Sequence, residues 1–186
     1  DIEFPLIAFS HCRDVVVEVS KAGGLGVLGA AGFSPEQLEI ELSWIDQNID
    51  GAPYGVDLIV PNTMANQDES KTASELQAMV PQSHKLFVEE TLAKFGIDSS
   101  NLYRSSDVGN RGFLGKKSSD NMLDIAFSHP IKIIVNALGV PPLRMLELAK
   151  ANNVACGALV GNSQQAIKQV ESGVDIIILS LIHISE

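Results

Sequence analysis

The sequence is poor in basic residues, cysteine and aromatic side chains, and it has no long apolar run. Thirteen Lys and Arg stand against twenty-three Asp and Glu in 186 residues, which gives a formal charge of -10. Such a chain is poorly suited to neutralise phosphates, so we expect no nucleic-acid partner. Gly, Pro or charged residues interrupt every apolar run before the roughly 20 residues that a membrane-spanning helix needs. We therefore expect a soluble protein with no membrane partner.

The cysteine content is low, with Cys12 and Cys156 only. Neither lies in a CxxC pair or at a Cys/His spacing typical of zinc sites, so we expect no metal site. The start of the chain shows no basic, apolar leader with a small-residue cleavage site. We therefore expect buried thiols and a cytoplasmic protein.

Short apolar runs alternate with segments of helical periodicity along most of the chain. The first run suits a strand that is buried on both faces. The clearest helix begins at Ser34-Pro35, where a capping residue precedes Pro at the first helical position. The pattern predicts strands at 5–10, 25–29, 54–60, 132–136 and 154–161, with a sixth strand that begins at 174.

This alternation predicts an α/β protein with a parallel sheet and right-handed crossovers. Two architectures fit the pattern: an open doubly wound sheet and a TIM (β/α)8-type barrel. Ser10, Asp57 and Gly161 stand at or near strand ends, where barrel enzymes hold their sites. A closed barrel has eight strands and roughly 250 residues, so the six or so βα units predicted here would form an incomplete barrel.

Residues 61–130 interrupt the repeat. Their composition shifts to Asn, Gln, Ser and Lys, and no confident strand is predicted within them. Helices are expected near 74–79 and 85–95. We expect this insertion to form a cap or lid on a barrel domain that spans 1–178.

The segment Gly24–Gly29 has the spacing GxGxxG of dinucleotide-binding loops. That fingerprint requires a strand before it and a helix that starts within it. Here a predicted helix precedes the motif and a predicted strand runs through it. The context therefore argues against nucleotide binding.

Three polar residues stand at or near the ends of predicted strands. His11 follows the first strand directly, and it either binds a ligand or serves as a polar cap of the next helix. Asp57 lies in an apolar strand and Asn136 ends another, and burying such groups is costly unless they are hydrogen-bonded or meet a ligand. Backbone groups could satisfy both residues. Parallel strands end at the same edge of a sheet, and this end of the barrel is called here the mouth. We therefore expect Asp57 and Asn136 to converge on the mouth.

Four segments form a pattern that extends over most of the chain outside the insertion. The first is 4–30, which contains Lys21-Ala-Gly-Gly-Leu-Gly-Val-Leu-Gly-Ala30. The others are Ser34-Pro-Glu-Gln-Leu38, Pro53-Tyr-Gly-Val-Asp57 and Glu171-Ser-Gly-Val-Asp-Ile-Ile-Ile178. In this order and spacing they resemble the nitronate monooxygenase family, formerly called nitropropane dioxygenases. The resemblance implies a barrel enzyme that binds FMN across the carboxyl ends of its strands. It also implies oxidation of alkyl nitronates by molecular oxygen.

The resemblance implies site residues position by position. The implied cofactor-binding positions are the backbone of Ala8, Phe9 and Ser10, together with Asp57, Asn136 and Gly161. His11 is expected to bind the substrate. Asp57 stands where the family commonly has Asn, so its carboxyl is either protonated or directed at the ribityl hydroxyls. His-Cys-Arg at 11–13 replaces the family's Met-containing turn, which bears on the identity of the substrate.

The last residues, 179–186, resemble a translated sequencing-library adapter rather than the family's Gly-Gly-His turn. We expect them to be non-native, so His183 is not assigned as the catalytic histidine. The resemblance places that histidine beyond Ile178. We therefore expect the chain to be the N-terminal part of an enzyme whose partners are a small-molecule substrate and oxygen, and to be inactive alone.

Two other functions stay open. One is an FMN-dependent enoyl-thioester reductase of the same barrel type, which the altered first loop and the long insertion suggest. The other is a non-catalytic half-barrel that dimerises through exposed strand edges. Reduction of an enoyl thioester by NADH would identify the first, and a concentration-dependent mass without flavin absorbance would identify the second.

Overall fold

The computed structural model describes residues 2–61, 78–99 and 116–179. The chain forms two compact units, of which the first comprises Asp1–Met64 with Phe113–Glu186 and the second Ala65–Gly112. The predicted helix at 74–79 lies largely outside the described residues, and His183 lies wholly outside them.

The first unit contains a parallel sheet whose strands follow one another in chain order. The described strands are β1 (Ile7–Ser10), β2 (Leu25–Gly29), β3 (Tyr54–Leu58), β4 (Ile133–Asn136), β5 (Ala155–Val160) and β6 (Ile176–Leu179). The helices of this unit are α1 (Arg13–Lys21), α2 (Pro35–Asn48), α4 (Lys116–Ser128), α5 (Leu143–Ala151) and α6 (Ser163–Ser172), and the second unit contributes α3 (Gln82–Lys94). The six predicted strands are confirmed, with small shifts at their ends.

Strand order and helix placement decide between the two predicted architectures. The sheet runs β1-β2-β3-β4-β5-β6 without a reversal, and every neighbouring pair is parallel. A doubly wound sheet reverses its strand order and carries helices on both faces. Here one face packs against the helices, in a core that contains Leu28, Val56 and Ile134. The first unit therefore has the fold of an incomplete TIM-type barrel, as predicted.

On the opposite face of the sheet, called here the inner face, the buried cluster within the described residues consists of the strand residues Leu25, Val27, Ile133 and Val135. Successive side chains of a strand point to opposite faces. Residues that pair across neighbouring strands share a face, so the strand register shows whether each side chain faces the helices or the inner face.

Helix α2 forms where the sequence predicts it. The Ser34 hydroxyl accepts a hydrogen bond from the Gln37 backbone N–H at 3.2 Å, which caps the first turn. The apolar stripe of Leu38, Leu42 and Ile45 is fully buried against the sheet. The chain leaves the helix through Asp50, which has a φ of 52°.

Helix α4 was missed by the sequence reasoning, which placed its residues in the insertion. Met122, Leu123 and Ala126 belong to the main core, so α4 is the crossover helix between β3 and β4. Arg144 binds the Asp120 carboxylate at 2.8 Å and so ties α5 to α4. The second unit thus begins and ends within the β3 to α4 connection.

Strand β1 corrects another expectation, because it is not buried on both faces. Phe9 is 55% exposed and Ile7 is 44% exposed. Within the described residues β1 pairs with β2 alone, and the helices cover only its outer face. Inner-face side chains of this edge strand therefore remain accessible.

The glycines of the GxGxxG segment serve close packing. Helix α1 ends before Gly24 and β2 runs through the motif, which confirms the predicted order. A Cβ at Gly26 would collide with the Val16 carbonyl oxygen. Helix α1 can therefore lie against β2 only because position 26 has no side chain.

We predict that Gly26→Ala destabilises the fold by about 1–3 kcal/mol, because the methyl group must displace α1 backbone. Gly32→Ala is the matched control, since a Cβ there meets no atom within 4 Å. Urea unfolding followed by far-UV circular dichroism measures both variants. Equal midpoints for the two variants would contradict this account of the packing.

Candidate functional site

The candidate site lies on the inner face, at the carboxyl ends of β1, β2 and β3. The register pairs Gly29 with Asp57, and Asp57 with Val135. His11 follows β1 directly, and its ring reaches Gly29. The site therefore brings together a histidine, a glycine and a carboxyl group from three successive strand ends.

The His11 ring is held by its backbone and aromatic contacts. Its Nδ1 lies 2.7 Å from the Gly29 carbonyl oxygen, and its ring meets the edge of Phe9 with centroids 5.1 Å apart. A carbonyl oxygen can only accept, so Nδ1 carries the proton of this bond and Nε2 is left for other partners. The alternative role as a helix cap is not observed, because Cys12 holds the N-cap position of α1. Cys12 is exposed there, so the expectation of buried thiols is wrong for Cys12 and is confirmed for Cys156.

Gly29 makes room for this arrangement. A Cβ at position 29 would collide with the Phe9 ring and would lie 2.8 Å from His11 Nδ1. Sequence reasoning noted Gly29 only as part of a motif. A glycine inside a strand often marks a close approach, which was the available signal.

Asp57 is the most unusual residue of the site. It is 7% exposed, and its Oδ1 has no hydrogen-bond partner among the described residues. Burial raises the pKa of this carboxyl to about 7, and the positive charge of His11 acts in the opposite direction. The neutral acid is therefore favoured well above the pH at which an ordinary aspartate ionises.

Ala8 and Ser10 present their side chains to the helix layer. They pair with Gly26 and Leu28, whose positions also face the helices. The Ser10 hydroxyl accepts a hydrogen bond from the Cys12 backbone N–H at 3.0 Å, which shapes the turn into α1. These two residues can therefore offer only backbone groups to a ligand on the inner face, whereas Phe9 offers its ring.

Asn136 does not converge with Asp57, contrary to the expectation from strand ends alone. It pairs with Leu58 and therefore lies on the helix-facing side, where it is fully buried. Its Oδ1 accepts from the Val60 backbone N–H at 2.9 Å, and its Nδ2 donates to the carbonyl oxygens of Val60, Leu138 and Gly139. Asn136 thus fastens together the loops that follow β3 and β4.

Gly161 lies at a second feature, a cleft of about 410 Å³ over the ends of β4 and β5. The Gly161 backbone N–H donates to the Gln165 side-chain oxygen at 2.7 Å. Gln169 also lines the cleft, and its side chain is 2% exposed. The Gln169 Oε1 has no hydrogen-bond partner among the described residues. Sequence reasoning did not single out Gln169, because a glutamine on a helix carries no such signal.

Within residues 2–61, 78–99 and 116–179, no group of three or more His, Cys, Asp or Glu side chains is arranged to hold a metal ion. Within the same ranges, every helix is too short or too polar to cross a membrane.

Residues 11–180 match the family model described as nitronate monooxygenase. The chain is 41% identical over 178 residues to a putative monooxygenase, Rv1533, of Mycobacterium tuberculosis, covering 95% of this chain and 47% of that protein. It is 25% identical over 185 residues to a probable nitronate monooxygenase of Staphylococcus aureus, covering 95% of this chain and 45% of that protein. The chain therefore spans about half the length of these curated relatives.

Solved structures show the same fold at lower sequence identity. A nitroalkane oxidase from Streptomyces ansochromogenes superposes with a TM-score of 0.66 and 18% identity, covering 96% of this chain and 46% of that chain. FabK from Thermotoga maritima superposes with a TM-score of 0.58 and 18% identity, covering 96% of this chain and 40% of that chain. At this identity the likeness concerns the fold, and it agrees with the barrel-type strand order.

We predict that Asp57 makes the stability of the chain depend on pH. The unfolded chain releases the Asp57 proton near the usual 3.8, whereas the folded chain holds it until about pH 7. The contribution of Asp57 to the unfolding free energy therefore falls as the pH rises from 4 to 7, by roughly 4 kcal/mol in total. Asp57→Asn removes this titration, so the variant should gain stability over the wild type as the pH rises.

Urea unfolding at several pH values between 4 and 8 measures this difference. Asp14→Asn is the matched control, because it removes an exposed carboxylate in the first turn of α1. A wild-type minus Asp57→Asn difference that stays constant with pH would refute the raised pKa of Asp57.

We also predict that Asn136→Ala destabilises the chain by about 2–4 kcal/mol, since it strips hydrogen bonds from several buried backbone groups. Thermal unfolding measures the loss. Asn152→Ala is the control, because the Asn152 side chain is an exposed amide that donates to the Leu148 carbonyl oxygen within its own helix end. Similar melting temperatures for the two variants would refute the fastening role of Asn136.

Proposed function

The chain belongs to the nitronate monooxygenase family, and on this premise we propose that the whole protein is an FMN-dependent enzyme that oxidises alkyl nitronates with molecular oxygen. The observation that carries the proposal is the buried, unpartnered Oδ1 of Asp57 at the inner-face mouth. A buried polar atom without a partner is costly unless a ligand supplies one. Membership of this family supports a flavin as that ligand.

The residues at the mouth fit a flavin. Phe9 presents a half-exposed ring that can pack against a planar ring system, and Asp57 offers a polar group beside it. The backbone of Ala8 and Ser10 supplies further polar groups along β1. The chemistry supplied by a bound flavin would be the transfer of electrons from the nitronate to oxygen.

His11 is the residue that we assign to the substrate. The bond from Nδ1 to the Gly29 carbonyl fixes the ring plane and leaves Nε2 free of that contact. A protonated Nε2 can donate to a nitronate oxygen, and the charge of the imidazolium favours binding of an anion. The protein's part in the reaction is then to orient the nitronate and to neutralise its charge.

Gly161 and Asn136 support the site in different ways. The cleft beside Gly161 opens onto the carboxyl ends of β4 and β5, so a polar part of the cofactor can extend there. Asn136 acts on the site through the loops that it fastens. We therefore assign Gly161 to ligand contact and Asn136 to loop positioning.

A second candidate is FMN-dependent reduction of an enoyl thioester. The loop after β1 favours it, because His11 occupies the mouth where the family resemblance implies a Met-containing turn. Both candidates need flavin, so they differ only in the substrate and the reductant.

Purification of the whole protein tests the proposal. We predict that it carries FMN, visible by its absorbance, and that it consumes oxygen when alkyl nitronates are added. NADH with an enoyl thioester is the comparison assay, and turnover there without nitronate oxidation would favour the second candidate. A purified protein without flavin, whose mass rises with concentration, would overturn both and favour the half-barrel.

A further inference from the structure

Asp57 is a buried carboxyl group that the protein leaves uncompensated. Its neighbours in the sheet are Gly29 on β2 and Val135 on β4, and neither has a polar side chain. Among the described residues no ion pair involves Asp57, and its Oδ1 has no hydrogen-bond donor. A carboxylate in such a place is unfavourable unless something outside the described residues stabilises it.

The charged groups near the mouth do not offset the effect of burial on Asp57. His11, on the loop after β1, is the titratable group whose charge acts on Asp57. Arg13 at the start of α1 is engaged elsewhere, since its guanidinium lies 3.4 Å from the Glu41 carboxylate and 4.5 Å from the Trp44 ring centre. Asp14, in the first turn of α1, carries negative charge and cannot stabilise a second carboxylate.

A neutral carboxylic acid suits this environment better than a carboxylate. It offers one O–H donor and one acceptor oxygen, whereas the ionised form can only accept. The two forms therefore bind opposite kinds of ligand atom. The strand-end environment favours one protonation state of Asp57, and that state decides whether the site binds a hydrogen-bond acceptor or a hydrogen-bond donor.

We propose that Asp57 binds the flavin as the neutral acid, donating its O–H to an acceptor atom of the flavin, and that ionisation of Asp57 weakens flavin binding. This inference rests on the proposed function. It makes Asp57 a positioning residue that is selective for a hydrogen-bond acceptor. It also makes the affinity of the site for flavin fall as the pH rises through neutrality.

The test compares FMN affinity across pH for the wild type and Asp57→Asn. Asparagine has the shape of the neutral acid and keeps a donor and an acceptor, but it cannot ionise. Equilibrium dialysis of the whole protein with FMN, read by flavin absorbance, gives each dissociation constant between pH 5.5 and 8.5. Taking the ratio of wild type to variant cancels the titration of the FMN phosphate, whose second pKa is about 6.

The expected ratio is constant below pH 6 and rises about tenfold per pH unit once Asp57 ionises, because only the neutral fraction binds. Asp14→Asn should follow the wild-type profile. A purely structural role for Asp57 would produce no such rise with pH.

Calorimetry of the wild type gives a second measurement that needs no variant. FMN binding at pH 8 in two buffers of different ionisation enthalpy should show uptake of about one proton per flavin, because the free FMN phosphate is already ionised there. Uptake of no proton, or a ratio that stays constant with pH, would overturn this inference and leave the proposed function standing. If neither protein binds FMN at any pH, the proposed function and this inference fall together.

Discussion

The alternation of side chains along parallel strands is the constraint on which the rest of the structure depends. Helices cover one face of the sheet, and strand residues of one parity, such as Leu28, Val56 and Ile134, enter the main core there. Residues of the other parity face inward, where no helix of the described sheet covers them. A polar side chain on the inner face must find its partners among strand ends, loops or ligands.

Asp57 and Asn136 show how much depends on a single step in register. Both are buried polar residues at the ends of neighbouring strands, yet Asp57 pairs with Val135 whereas Asn136 pairs with Leu58. Asn136 faces the helix layer and is satisfied by backbone groups of two loops. Asp57 faces inward, and its Oδ1 has no hydrogen-bond partner in the part of the chain that the structure describes. One residue therefore stabilises the loops of the site, and the other is available to a ligand.

Local signals were sufficient to predict most of the sheet and the best-capped helix, because apolar strand runs and the Ser34 cap act within a few residues. Helix α4 escaped prediction because its first turn is polar and its buried Met122 and Leu123 follow a long polar segment. The exposure of Phe9 and the separation of Asp57 from Asn136 depend on strand pairing, which no local pattern reports. His11 was singled out by its place after β1, but its contact with Gly29 arises only when β1 and β2 pair.

The central claim is that Asp57 stays protonated well above the usual pKa of an aspartate and ionises only near pH 7, because the fold buries it and gives its Oδ1 no partner among the described residues. Carbon-detected NMR of the aspartate carboxyl groups tests it directly in the ligand-free chain, with Asp57→Asn used to assign the signal. The account predicts that the Asp57 carboxyl titrates with a pKa of about 7. Titration near 3.8, the usual value for an aspartate, would show that the carboxyl is stabilised as an anion and would contradict the account.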